Sequence, residues 1–132
     1  MFESLAHTAD LALRAYGRTL PELFQNAARG MFAQMTDVSN LKPTLKRHIS
    51  LEATDLESLL VEWLNELLYY RDAEKEAFTD FHIHTLTPTH LEATVEGVKT
   101  TEFHRPVKAA TYHQLEIRQT SEGYVATVVF DV

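Results

Sequence analysis

At 132 residues, 45% of them apolar, the chain is long enough to bury one core and too short for two typical domains, so a single domain over residues 1–132 is expected. A formal net charge of -7 disfavours a broad phosphate-binding surface, because affinity for nucleic acid comes mainly from Lys and Arg; docking on a basic protein fits the charge better. The absence of cysteine excludes disulfides, thiolate zinc sites and cysteine nucleophiles.

The start, Met1-Phe2-Glu3-Ser4, lacks the basic region and long apolar stretch of a signal peptide, and no segment reaches transmembrane length. A soluble cytoplasmic protein with no membrane contact is the expectation. His7-Thr8-Ala9-Asp10 then sets an imidazole, a hydroxyl and a carboxylate together, where the plainer reading is that they satisfy free backbone groups at a strand entrance. Leu11, Leu13 and Ala15 alternate with Ala12, Arg14 and Tyr16, the period of a half-buried strand, and Gly17 closes it. Thr19 with Glu22 reads as a capping box, with Pro21 tolerated in the first turn. Leu20, Leu23, Phe24, Ala27, Ala28, Met31, Phe32 and Met35 follow at helical spacing. Gly30 costs this helix about 1 kcal/mol relative to Ala unless a neighbour needs close approach there. Thr36 to Asn40 ends it.

Arg47, Ile49, Leu51 and Ala53 alternate with His48, Ser50 and Glu52, a second strand. Thr54 and Glu57 offer another capping box, followed by Leu56, Leu59, Leu60, Trp63, Leu64, Leu67 and Leu68 on one helical face. Glu57, Glu62, Glu66, Asp72, Glu74 and Glu76 read as the solvated face and end of that helix. From Phe78 onward the pattern is strands: Phe81 to Leu86, a turn at Thr87-Pro88-Thr89, Leu91 to Val95, a strand around Lys108 to Arg118, a turn at Ser121-Glu122-Gly123, and Tyr124 to Val132. The order predicts an α+β, two-layer fold with two amphipathic helices on a largely antiparallel sheet of about six strands.

Three groups of residues bear chemistry. A last strand running to Val132 sets the terminal α-carboxylate beside Asp131, and close carboxylates must be hydrated, partly protonated or bridged by a cation. If the first and last strands are neighbours, Asp10, Asp131 and Val132 converge as three hard oxygen donors, suited to Ca²⁺ or Mg²⁺ and poorly suited to zinc. The plainer reading is wet carboxylates at a strand end. His82-Ile83-His84 puts two imidazoles on one strand face at a zinc-capable spacing, but alternation turns Phe81 and Ile83 inward and favours a wet face for the histidines. His104, Arg105, Lys108 and His113 form a local basic concentration, read either as contact with phosphate or an acidic partner or as scattered surface charge. There is no Gly-rich phosphate loop, G-x-S-x-G or H-E-x-x-H, and no residue is assigned as catalytic.

With those residues in view, the chain resembles the archease family across nearly its whole length. His7-Thr8-Ala9-Asp10 with Leu11-Ala12-Leu13 resembles the family's N-terminal motif. Asn26-Ala27-Ala28-Arg29-Gly30-Met31-Phe32 with Met35-Thr36-Asp37 resembles its first-helix motif, and Leu59 through Leu68 its second. Lys108-Ala109-Ala110-Thr111-Tyr112-His113 and Phe130-Asp131-Val132 complete the set in the right order. The resemblance implies an activator, not an enzyme, which assists an RtcB-type RNA ligase in tRNA splicing or RNA repair by promoting GTP- and Mn²⁺-dependent guanylylation and multiple turnover. It also implies a divalent-cation site, commonly Ca²⁺ with Mg²⁺ or Mn²⁺ as alternatives, whose matching ligands are Asp10, Asp131 and Val132. Lys108 matches a basic position of functional importance, able to approach a triphosphate or an acidic ligase group. The stretch Val98 to Pro106 is shorter than the family loop, and Arg105-Pro106 departs from its usual polar residues. Two other readings stay open: a metal-dependent phosphoesterase, and an adaptor or chaperone with a structural cation.

Overall fold

The computed structural model describes residues 1–5, 10–37 and 40–132. It opens with β1 (Phe2–Leu5), too short for its period to be read from sequence, paired antiparallel with β2 (Leu11–Gly17). Helix α1 (Leu20–Met35) begins as predicted: Thr19 Oγ1 accepts from the Glu22 N–H at 3.2 Å. The return contact reaches the Arg18 N–H at 3.3 Å, one residue short of a reciprocal box. Gly30 has the close neighbour that its place in a helix calls for, since a Cβ there would meet Phe2 Cγ at 2.7 Å. Bare backbone on α1 is what lets β1 pack against it.

Strand β3 (Leu45–Glu52) leads to α2 (Leu56–Glu74), whose cap differs from expectation. The helix starts one residue later than a Thr54–Glu57 box requires, and Asp55 is the N-cap, its Oδ1 accepting from the Ser58 N–H at 2.8 Å. A carboxylate is a stronger acceptor than a hydroxyl and also meets the positive end of the helix. The Ser58 N–H, followed by the Ser58 hydroxyl, holds the Asp55 carboxyl below the ordinary carboxylate range. A depressed carboxyl contributes stability that is complete above its unfolded value and is lost as pH falls through the folded one. Asparagine caps without titrating. Thermal melts of Asp55→Asn from about pH 5 to about pH 2 are therefore expected to fall less steeply than those of the parent, and equal slopes would remove this cap from the acid response.

Lys75 ends α2 in the left-handed conformation (φ 58°), its N–H bonded to Arg71. The chain then enters β4 (Glu76–Leu86) earlier than the sequence reading placed it. Glu76 is not on a solvated helix end. It is buried at the start of β4, where it binds Arg47 of β3 through both carboxylate oxygens, at 2.7 and 2.9 Å. Strand β5 (His90–Lys99) follows the Thr87–Thr89 turn. The single strand expected from Lys108 to Arg118 is two pieces, β6 (Ala109–Ala110) and β7 (Glu116–Thr120), interrupted where Gln114 takes φ 53°. Both pair with β8 (Gly123–Asp131).

The architecture is α+β with two helices packed on antiparallel strands, as expected, and its strands divide between two sheets. One has the order β1-β2-β8-β6 with β7 also on β8; the other is β3-β5-β4. Strand period reports which face is inward but not which strand is the neighbour, so the division was not visible in the sequence. Each helix touches strands of both sheets, and one apolar cluster runs through all of them. Trp63 of α2 is fully buried and donates from Nε1 to the Phe24 carbonyl of α1 at 2.9 Å, tying the helices together. No helix among the described residues is long and apolar enough to cross a membrane.

Candidate functional site

The neighbour relation needed for the carboxylate site is present. Strands β2 and β8 pair antiparallel from Gly17–Tyr124 to Leu11–Phe130, and one further step of that register sets Asp10 across from Asp131. Leu11, Leu13 and Phe130 face the core, so strand alternation puts Asp10 and Asp131 together on the opposite face. Asp10 is half-buried and Asp131 exposed, with Val132 just beyond the strand and 36% exposed. Like charges directly opposite on a sheet repel, and a hard cation between them relieves the repulsion. Two carboxylates set in register are hard oxygen donors of the kind such an ion takes. Among the described residues no group of three or more His, Cys, Asp or Glu side chains gathers as a metal site. His7, Thr8 and Ala9 lie outside the described residues.

A second strand borders Asp131. Its carbonyl accepts from the Lys108 N–H at 2.7 Å, and Ala109 of β6 is its register partner. A two-residue strand needs an anchor, and Asn65 of α2 supplies it. The Ala110 N–H donates to Asn65 Oδ1 at 2.7 Å, and Asn65 Nδ2 donates to the Ala110 carbonyl at 3.2 Å. Sequence reasoning missed this role, because an Asn on a helix flank looks like any solvated polar residue. The Lys108 side chain follows Val107 onto the helix side, where it lines a groove with Arg71, Lys75 and Arg105. The basic concentration predicted from His104 to His113 is thus only partly real. Arg105 and Lys108 share the groove, the end of α2 contributes the other two cations, and His104 and His113 are not among its lining residues.

His82 and His84 sit exposed on the outer face of the three-stranded sheet. His82 Nε2 is 3.2 Å from Glu96 Oε1, and His84 Nε2 is 2.8 Å from Thr94 Oγ1. On the same face Glu92 binds Ser50, His48 and His90. The Ser50 hydroxyl, ahead of the neighbouring imidazoles, holds the Glu92 carboxyl below its ordinary range. The pattern is a hydrogen-bonded polar sheet face.

Comparison with known proteins gives one family. Residues 2–132 match the Archease protein family. The chain is 38% identical over 139 aligned residues to the protein archease of Methanosarcina barkeri, covering 99% of this chain and 95% of that one. It is 45% identical to the protein archease of Saccharolobus islandicus, covering 99% and 98%. The solution structure of protein 1598 of Methanobacterium thermoautotrophicum superposes with a TM-score of 0.81 at 34% identity, over 99% of this chain and 98% of that one. A crystal structure from Thermotoga maritima, of a protein described as an archease and possible chaperone, has the same fold with a TM-score of 0.66 at 19% identity, covering 98% and 96%.

Proposed function

Since this chain belongs to the archease family, we propose that it is an accessory protein of an RtcB-type RNA ligase, promoting GTP-dependent guanylylation of the ligase and its multiple turnover. The observation that carries the reading is the register of β2 on β8, which brings Asp10 and Asp131 together at one end of the sheet. These carboxylates, with Val132, would hold a divalent cation, Ca²⁺ first and Mg²⁺ or Mn²⁺ as alternatives. When bound, the ion supplies positive charge at an otherwise anionic edge. The protein's own part is to fix the ligands. Strand β8 is flanked on both sides there, by β2 and by the Asn65-anchored β6, so Asp131 is held on a rigid element beside Lys108. The acidic surface suits docking on a basic ligase in the cytoplasm, with no call for direct binding of RNA.

Ligase–GMP formation over time, with excess GTP and Mn²⁺, tests the proposal. Untagged protein is expected to accelerate the reaction of a cognate ligase, and Asp131→Ala or Asp10→Ala protein to lose most of that acceleration. Acceleration undiminished in both variants would remove the carboxylates from the mechanism. A second reading is an adaptor or chaperone in which the cation only braces the fold. In that case Asp131→Ala lowers the melting temperature together with activation, whereas a direct role leaves thermal stability in place while activation fails.

A further inference from the structure

A chain with a formal net charge of -7 nevertheless gathers four cations around one groove of about 410 Å³. Arg71 and Lys75 come from the end of α2, Arg105 and Lys108 from the segment that leads into β6, and Asp72 is the one carboxylate among the described lining residues. Part of this has an ordinary explanation, because cations near a helix C-terminus complement its dipole. Arg71 is also occupied: Nε and a terminal nitrogen reach Asp72 Oδ1 at 2.9 and 2.8 Å, and another nitrogen donates to Met35 Sδ. Lys75 Nζ donates to the Asp72 carbonyl at 3.1 Å.

Neither explanation reaches Arg105 or Lys108, which lie on no helix. Arg105 spends one nitrogen on Gln34 Oε1, at 3.0 Å, and keeps the rest of its fork. The Lys108 ammonium has no protein acceptor among the described residues. Between these cations Phe103 and Val107 form an apolar wall, and the volume falls within the usual range of small-molecule sites.

We propose that this groove binds a nucleoside di- or triphosphate, with Arg105 and Lys108 on the phosphates, Lys75 at the rim and the Phe103 side against the base. A guanidinium fork and a mobile ammonium are the groups that phosphate recognition uses. A mononucleotide keeps its whole charge inside the positive groove. An RNA strand would carry further phosphates out onto a surface that is negative in sum, so the single nucleotide is favoured over the polymer. The site differs from the Asp10–Asp131 pair and does not require the ligase reading.

The experiment is calorimetric titration of ATP, GTP and inorganic tripolyphosphate into the untagged full chain at low and at physiological salt, repeated with Arg105→Ala, Lys108→Met and Asp131→Ala. Saturable binding of a nucleotide is expected, weaker for tripolyphosphate, which has no base, and weaker at higher salt. Arg105→Ala and Lys108→Met are each expected to weaken it about tenfold, the loss of one charge-assisted hydrogen bond. Asp131→Ala is expected to bind as the parent does, so this site and the cation site stand or fall separately. Arg105 and Lys108 are exposed, and unchanged thermal melts would show that both variants fold. The proposal is overturned if ATP and GTP fail to saturate at millimolar concentration or if both groove variants bind as the parent does. It is also overturned if a single-stranded oligoribonucleotide or a polyglutamate peptide binds the groove and nucleotides do not.

Discussion

Arg47→Met is expected to destabilise the protein by about 4 kcal/mol and Glu76→Gln by less, about 2–3 kcal/mol, although the two changes break the same ion pair. Unequal exposure is the reason. The Glu76 side chain is 3% exposed and the Arg47 side chain 32%. Removing the arginine strands a carboxylate with no route to water, whereas removing the carboxylate leaves a guanidinium that can still hydrate. Arg47 also lies over the Tyr70 ring, 4.3 Å from its centroid, and keeps that contact in Glu76→Gln. Hydrogen bonding to Glu76 is the main reason the Arg47 pKa is raised. Urea denaturation of both single variants and of Arg47→Met/Glu76→Leu checks the account. The double variant is expected to be more stable than Arg47→Met alone, because no buried charge is left unpaired. A double variant as unstable as the two losses added together would show that the residues act independently.

Trp63→Ala is the other large effect expected, at about 4 kcal/mol, a substantial part of the total stability of a domain this size. Trp63 is fully buried, stands edge-on to Phe81 at 6.2 Å and donates to the Phe24 carbonyl across the helix pair. The alanine variant loses all three and leaves a cavity where α1, α2 and β4 meet. Trp63→Phe keeps an aromatic ring against Phe81 but lacks the N–H, and is expected to fall between the parent and Trp63→Ala. The transition should shift in urea with an unchanged slope, since the surface exposed on unfolding is nearly the same. A loss below about 1 kcal/mol for Trp63→Ala would mean that the helices close over the gap.

Local pattern carried much of the fold. The period of Leu11–Ala15, the cap at Thr19 and the apolar stripe from Leu56 to Leu68 each report on a few adjacent residues, and each formed the element expected. The α+β class follows from the order of such elements. Asp10 and Asp131 were legible as candidates because each lies at the end of a strand whose period is clear. What local pattern cannot contain is pairing between distant segments. That β8 is central, that the strands form two sheets, and that the stretch from Lys108 to Arg118 breaks into β6 and β7 were all decided by which edges were free to hydrogen-bond. Glu76 shows the limit most sharply. By composition it belonged with the solvated glutamates of α2, and only the arrival of Arg47, 29 positions earlier in the chain, makes its burial tolerable. The charged groove has the same origin: Arg71 and Lys75 lie thirty or more residues from Arg105 and Lys108 along the sequence and share one site because α2 ends where the path into β6 begins.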